Sequence, residues 1–168
     1  MILLKPLDAL EKKYSINEED NLFRGSCGKI YLDKNDFIKV PFDFHTGKLT
    51  QDKNSFRRLY EEAKMQDFAV SLDIKLPDVY GFFAVKENGK GIYYPGLAMR
   101  NLGDLTLNTL EGSLRKKVES QRDFEIEKAR DLGFVCNDNH DENVVWVPEE
   151  EQTYLLDCGL WKFNGGIN

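Results

Sequence analysis

The stretch GFVCNDNHDENVVWV, residues Gly133–Val147, decides how the chain is read. From Cys136 to Asn143 it runs Cys, Asn, Asp, Asn, His, Asp, Glu, Asn, a loop of metal ligands and proton carriers with His140 as its only basic group. Short apolar runs, FV before it and VVWV after it, bound the loop. It can be a metal site, a solvated turn or a loop of reacting groups. The segment that follows, VVWVPEEEQTYLLDCGLW, reads as two strands joined by an acidic turn. A hairpin there brings Asn143, at its start, close to Asp157, at its end. An Asn and an Asp so placed are oxygen donors of the kind Mg²⁺ prefers. Asp138 lies within reach as a further acid, off the metal, able to orient a hydroxyl that accepts a phosphoryl group.

Moving toward the N-terminus, SLRKKVESQRDFEIEKARDLG reads as a long polar helix with Gly133 as its C-cap. LPDVYGFFAVKENGKGIYYPGLAMRNLG reads as a strand meander whose Asn88-Gly89 turn supplies the positive φ of a tight connection. SFRRLYEEAKMQDFAVSLD is the clearest helix, with Ser55 as its expected cap and Phe56, Leu59, Ala63 and Val70 on or near one face. LFRGSCGKIYLD and DFIKVPFD form a hairpin about the turn DKND. PLDALEKKYS, residues 6–15, reads as a short helix from the spacing of Leu7, Leu10 and Tyr14. Helix, strands, helix, strands, helix, loop and hairpin make an α+β order rather than repeated βαβ units.

Composition bounds the function. The chain has 168 residues, with 41% hydrophobic and 31% charged, the profile of one globular domain. Its formal net charge of -6 argues against a general nucleic-acid binder, and LRKK at 114–117 reads as a solvated helix face. Lys5 and Pro6 interrupt the N-terminal apolar run, so it is not read as a signal peptide. No apolar run has the length of a membrane span. Cys27, Cys136 and Cys158 are odd in number and fit no zinc spacing, which points to free thiols in a reducing, cytoplasmic compartment. A zinc pair of Cys136 and His140 lacks further ligands nearby.

Two features of the N-terminal half remain. In FRGSCGKIY, Gly25 and Gly28 stand three apart in a hairpin turn, where glycine lets backbone N–H groups approach phosphate oxygens. In FIKV, Lys39 sits inside an apolar strand. It either faces solvent by alternation or is held for a task. A half-buried Lys needs a carboxylate partner. Glu61 is the preferred one, since Met65 and Phe68 follow at four and seven residues, and Glu62 is the alternative.

Taken in order, FRGSCGKI, FIKV, YEEAKM, LAMRNLGDL, CNDNHDEN and DCG resemble the motif series of the protein-kinase-like superfamily over residues 20–162. Each motif is degenerate alone. The ordered set in matching strand, helix and loop contexts is more specific. The resemblance implies a bilobal fold, with an antiparallel-sheet N-lobe plus helix at about 19–100 and a reduced, mainly helical C-lobe at about 101–168. It implies ATP and Mg²⁺ as ligands. Gly25, Ser26, Cys27, Gly28 and Ile30 would lie over the nucleotide, and Lys39, paired with Glu61 or Glu62, would bind its phosphates. Met99 would line the adenine pocket, and the backbone of Asn101 and Leu102 would hydrogen-bond the base. Asp138 would orient the acceptor hydroxyl, His140 would stand by the γ-phosphate, and Asn143 and Asp157 would hold the metal.

The departures are informative. Phe23 stands where the first loop glycine is expected, and Cys136-Asn137 replace the His-Arg pair before the catalytic Asp. The missing Arg argues against control by a phosphorylated activation loop. The chain has eleven residues after Asp157, too few for the helices that seat a peptide substrate. It therefore resembles the minimal kinases of bacterial effectors and phages, which rely on a host or partner protein and act in a host cytoplasm. A Ser/Thr protein kinase is the reading this implies. A pseudokinase or nucleotide-binding module, and a small-molecule kinase of the aminoglycoside or choline type, are the alternatives.

Overall fold

A computed structural model describes residues 7–24, 28–33 and 35–165. The fold is mixed α+β, and the chain divides into two compact units. One takes the residues up to 64 together with 78–101, the other 65–77 together with 102–168.

In the first unit, six strands among the described residues form one sheet. They are β1 (Lys12–Ile16), β2 (Phe23–Arg24), β3 (Lys29–Asp33), β4 (Asp36–Val40), β5 (Val79–Glu87) and β6 (Tyr93–Arg100), ordered β1-β5-β6-β4-β3-β2. Neighbours pair antiparallel except β1, which lies parallel to β5 with Tyr14 opposite Val85 and Ile16 opposite Glu87. The sheet curls so that β1 meets β3 and β4: Ser15 N donates to Asp33 Oδ2 at 2.8 Å and the Tyr14 hydroxyl donates to Asp36 Oδ2 at 2.7 Å. The helix expected at 6–15 is therefore corrected: only Leu7–Ala9 make a single 3-10 turn, and β1 follows. Leu10 and Tyr14 satisfy a helical spacing, but Tyr14 and Ile16 also alternate as a strand does. The open edge of β5, which supplies backbone partners, decides between the two.

Alternation along β4 assigns its two faces. Ile38 and Val40 point into a cluster with Tyr14, Ile16, Tyr31, Leu49, Val85 and Tyr94. Each such fully buried aliphatic contributes about 1.5–3 kcal/mol. Phe37 and Lys39 point the other way, toward helix α1 (Lys53–Ser71), where Phe37 packs with Leu59, Ala63, Leu97 and Met99. Helix α1 is capped by Asp52 rather than Ser55: Asp52 Oδ2 accepts from Ser55 N at 2.9 Å. That bond holds the Asp52 carboxyl below its usual range. The helix ends in paired bonds, Ile74 N to Ala69 O at 3.1 Å and Asp73 N to Val70 O at 2.9 Å, with Asp73 left-handed at φ 61°.

The second unit is organised on helix α2 (Gly112–Asp131), whose Val118, Ile126 and Ala129 are buried with Ile74, Phe134, Val144, Trp146, Leu155 and Trp161. Gly133 closes the helix at φ 95°, its N–H bonded to Arg130 O at 2.9 Å, as the sequence leads one to expect. Two short ladders follow. Strand β7 (Phe134–Val135) pairs with β10 (Lys162–Phe163), and β8 (Val144–Val147) pairs with β9 (Gln152–Leu155) across the acidic turn. Among the described residues no helix is long and apolar enough to cross a membrane.

Candidate functional site

Two groups of side chains bear on the motifs, one in each unit. In the first, Lys39 Nζ meets Glu62 Oε1 at 2.5 Å, with the side chains 1% and 2% exposed. Strand alternation cannot send Lys39 to solvent, since the sheet is covered on both faces. Glu62 is thus the partner, and the preference for Glu61 is corrected. Glu61 is exposed and pairs with Lys64 at 3.3 Å. The physical reason is helical phase. Leu59, Glu62, Ala63 and Gln66 stand at i, i+3, i+4 and i+7 and are all buried, which puts Glu61 on the opposite side. Met65 and Phe68, used to favour Glu61, lie off this stripe.

Gly28 contributes by having no side chain. A Cβ there would stand 2.8 Å from Lys39 Cγ and 2.9 Å from the Val40 carbonyl oxygen, so only glycine lets β3 begin against the stem of Lys39. Ile30 is the cross-strand partner of Lys39 and packs on the Phe37–Met99 cluster. Met99 is buried in that cluster, opposite Phe37. Gly25, Ser26 and Cys27 lie outside the described residues. Asn101 closes the first unit, and Leu102 opens the second, buried with Val145, Val147 and Tyr154.

In the second unit the opening stretch becomes a tightly tied loop. Asp138 has φ 67° and Asp157 φ 51°, left-handed values that cost a side-chain-bearing residue about 1–2 kcal/mol, least for Asp and Asn. The Asn143 side chain donates from Nδ2 to the Asp138 carbonyl at 2.8 Å. Since a carbonyl only accepts, this fixes the amide and turns its Oδ1 away as an acceptor. Leu156 N donates to Asn143 O at 2.7 Å, one step beyond the Val144–Leu155 pair, so Asn143 and Asp157 flank the mouth of the β8–β9 hairpin. Asp157 also caps the 3-10 turn Cys158–Leu160, accepting from Gly159 N at 3.2 Å. An amide oxygen and a carboxylate set at one hairpin mouth are a donor pair that fits a hard divalent cation.

His140 Nε2 lies 2.7 Å from Asp138 Oδ1. The His140 imidazole thus contacts the carboxylate that the motif series marks as the candidate base. Asn137 and Asn139 are spent on the backbone, donating to Leu160 O at 3.0 Å and Cys136 O at 2.9 Å. Cys136 is buried, and burial pushes its thiol up to about 11. Among the described residues no three His, Cys, Asp or Glu side chains gather as a metal group.

Sequence reasoning passed over two polar groups. Gln66, one helical turn beyond Glu62, is buried, donates to Pro77 O at 2.6 Å and accepts from the Cys158 thiol at 4.0 Å. Its signal was present in the same i, i+4 phase that selects Glu62. Asp141 is held by arginines from α2, a long-range contact with no local signal. No protein-family model matches the chain, and a search of curated proteins detects no relative. The functional reading therefore rests on the residues themselves.

Proposed function

We propose that the chain is a minimal, bilobal protein-kinase-like phosphotransferase that moves the γ-phosphoryl group of ATP to a Ser or Thr hydroxyl of a partner protein, with Mg²⁺. The observation that carries the reading is the buried Lys39–Glu62 pair. Taking both charges out of water costs several kcal/mol per ion, and an apolar pair of similar volume serves a fold as well or better. An ion pair kept there is explained by a use for the ammonium, namely to grip phosphate oxygens while Glu62 fixes its direction.

The roles follow from the atoms available. Lys39 binds and orients the phosphates. Asn143 Oδ1 and the Asp157 carboxylate are the groups that would hold Mg²⁺, which when bound neutralises phosphate charge. Asp138 orients the acceptor hydroxyl. The hydroxyl oxygen forms the new bond to γ-phosphorus as the bond from phosphorus to the bridging oxygen of ADP breaks, and the hydroxyl proton passes to the Asp138 carboxylate. His140, at 2.7 Å, fixes the rotamer of that carboxylate through Oδ1 and leaves Oδ2 as the acceptor.

The same contact supports a second reading, a nucleotide-binding module without transfer, because it occupies one oxygen of the candidate base. One experiment separates them. Purified protein is assayed for γ-phosphoryl transfer to itself and to protein acceptors, alongside its thermal shift with Mg-ATP. Wild type is expected to transfer, and Asp138→Asn to lose about 10²-fold or more of the rate while keeping the shift. Transfer untouched by Asp138→Asn removes the role given to Asp138. A Mg-ATP shift without any transfer by wild type selects the binding module.

A further inference from the structure

We propose that Asp141 is a positioning residue, clamped by Arg115 and Arg122 of helix α2 so that the turn Asp141–Asn143 presents Asn143 in a single orientation. The consequence for transfer rests on the phosphotransferase reading, whereas the clamp itself does not. Arg115 Nη2 donates to Asp141 Oδ2 at 2.5 Å and Arg122 Nη1 donates to Oδ1 at 3.1 Å, so each carboxylate oxygen has its own guanidinium. The two arginines are seven residues apart, about two helical turns, and project from one side of α2. Their helix is anchored between them by buried Val118, and Arg115 is further tied to Leu107 O at 3.1 Å and Glu119 Oε1 at 2.9 Å.

The turn needs such an anchor. It is a single 3-10 turn, closed by Asn143 N to His140 O at 2.9 Å, and no side chain caps its N-terminus. An isolated 3-10 turn of this length holds its shape weakly. Two planar guanidiniums on a fixed carboxylate set both its position and its plane. The clamp also sorts the acids of the loop. Asp141, with both oxygens covered by arginine, is withdrawn from metal binding and from proton transfer, whereas Asp138 keeps one oxygen for chemistry.

The test is residue-resolved backbone hydrogen exchange of the full chain, with transfer kinetics beside it. In Asp141→Asn the amides of 139–143 are expected to exchange about 10-fold faster or more, with the slowest amides of α2 and β8 unchanged. Arg122→Ala is expected to reproduce this local opening, and Asp141→Glu to reverse most of it. In transfer, Asp141→Asn and Arg122→Ala should both lower kcat while KM for ATP stays within about two-fold. Unchanged exchange at 139–143 in Asp141→Asn overturns the clamp. Loss of transfer in Asp141→Asn with full transfer in Arg122→Ala also overturns it, since Asp141 would then touch a ligand directly. If wild type transfers no phosphoryl group, the function proposed above fails, and the exchange data still decide the clamp.

Discussion

Replacing Glu62 with Ala leaves the Lys39 ammonium in a site where it is 1% exposed, with its 2.5 Å carboxylate gone. Removing one member of a buried pair costs about 3–5 kcal/mol, because the remaining charge is neither solvated nor compensated. The entropy of unfolding is about 2.1 cal/mol/K per residue, or roughly 0.35 kcal/mol/K for a chain of this length, so the midpoint should fall by about 9–14 °C. The double variant Lys39→Met/Glu62→Leu exchanges the pair for apolar groups of similar volume, and most of that loss should return. The two variants separate the stability of the pair from its use. Wild type at about 100 times its Kd for Mg-ATP should gain about 2.7 kcal/mol, a rise of about 8 °C, whereas the double variant should gain almost nothing. Circular dichroism melts of wild type and both variants, with and without Mg-ATP, supply these midpoints. A Glu62→Ala midpoint within about 2 °C of wild type would refute the buried pair. A full nucleotide shift in the apolar double variant would refute the phosphate-binding role of Lys39.

Gly28→Ala places a methyl group against Lys39 Cγ and the Val40 carbonyl, and since the backbone oxygen cannot yield, a loss of about 1–3 kcal/mol and a smaller Mg-ATP shift are expected in the same melts. Asp157→Asn keeps an oxygen donor and removes its charge, so the part of the nucleotide shift that depends on Mg²⁺ should fall most, and a shift equal in Mg²⁺ and in chelator for wild type would exclude the metal pair. Hydrogen bonds from Lys75 and Lys128 hold the Asp73 carboxyl down to about 2. Its folded value is depressed, so its contribution is present above the ordinary carboxylate range near 4 and is lost as pH falls toward 2. Carbon-detected NMR should place its midpoint near 2 rather than 4. Burial of the Cys136 thiol predicts slow alkylation at pH 8 in the native chain and fast alkylation in denaturant, read by peptide mass mapping; equal rates would reject the burial.

The strands and helices that carry the motifs were legible because their signals are local. The Asn88-Gly89 turn, the apolar run at 144–147 and the C-cap at Gly133 each announce themselves within a few residues. Lys39 was legible as an anomaly in its strand, but the phase of its helix partner was misjudged: Leu59, Ala63 and Gln66 would have selected Glu62 had they been read together. The N-terminal strand was hidden because Leu10 and Tyr14 fit a helical spacing while Tyr14 and Ile16 fit an alternating one, and the choice is made by the edge they meet, here β5, just over seventy residues away in sequence. Asp141 lay further from reach, since its meaning depends on arginines 26 and 19 residues distant, and the residue type alone is that of any acidic turn.

The left-handed backbone at residues 138 and 157 bears on how tolerance maps of this protein should be interpreted. A saturation library selected only for folded, abundant protein should already enrich Asp, Asn and Gly at both positions and deplete alanine and β-branched residues, with no reference to chemistry. Depletion of alanine at these sites would thus measure backbone geometry. The informative contrast is between Asp and Asn, which share the geometry and differ in charge, and a selection for activity that separates them at 138 and 157 further than a selection for abundance does would trace the groups used in transfer from sequence counts alone.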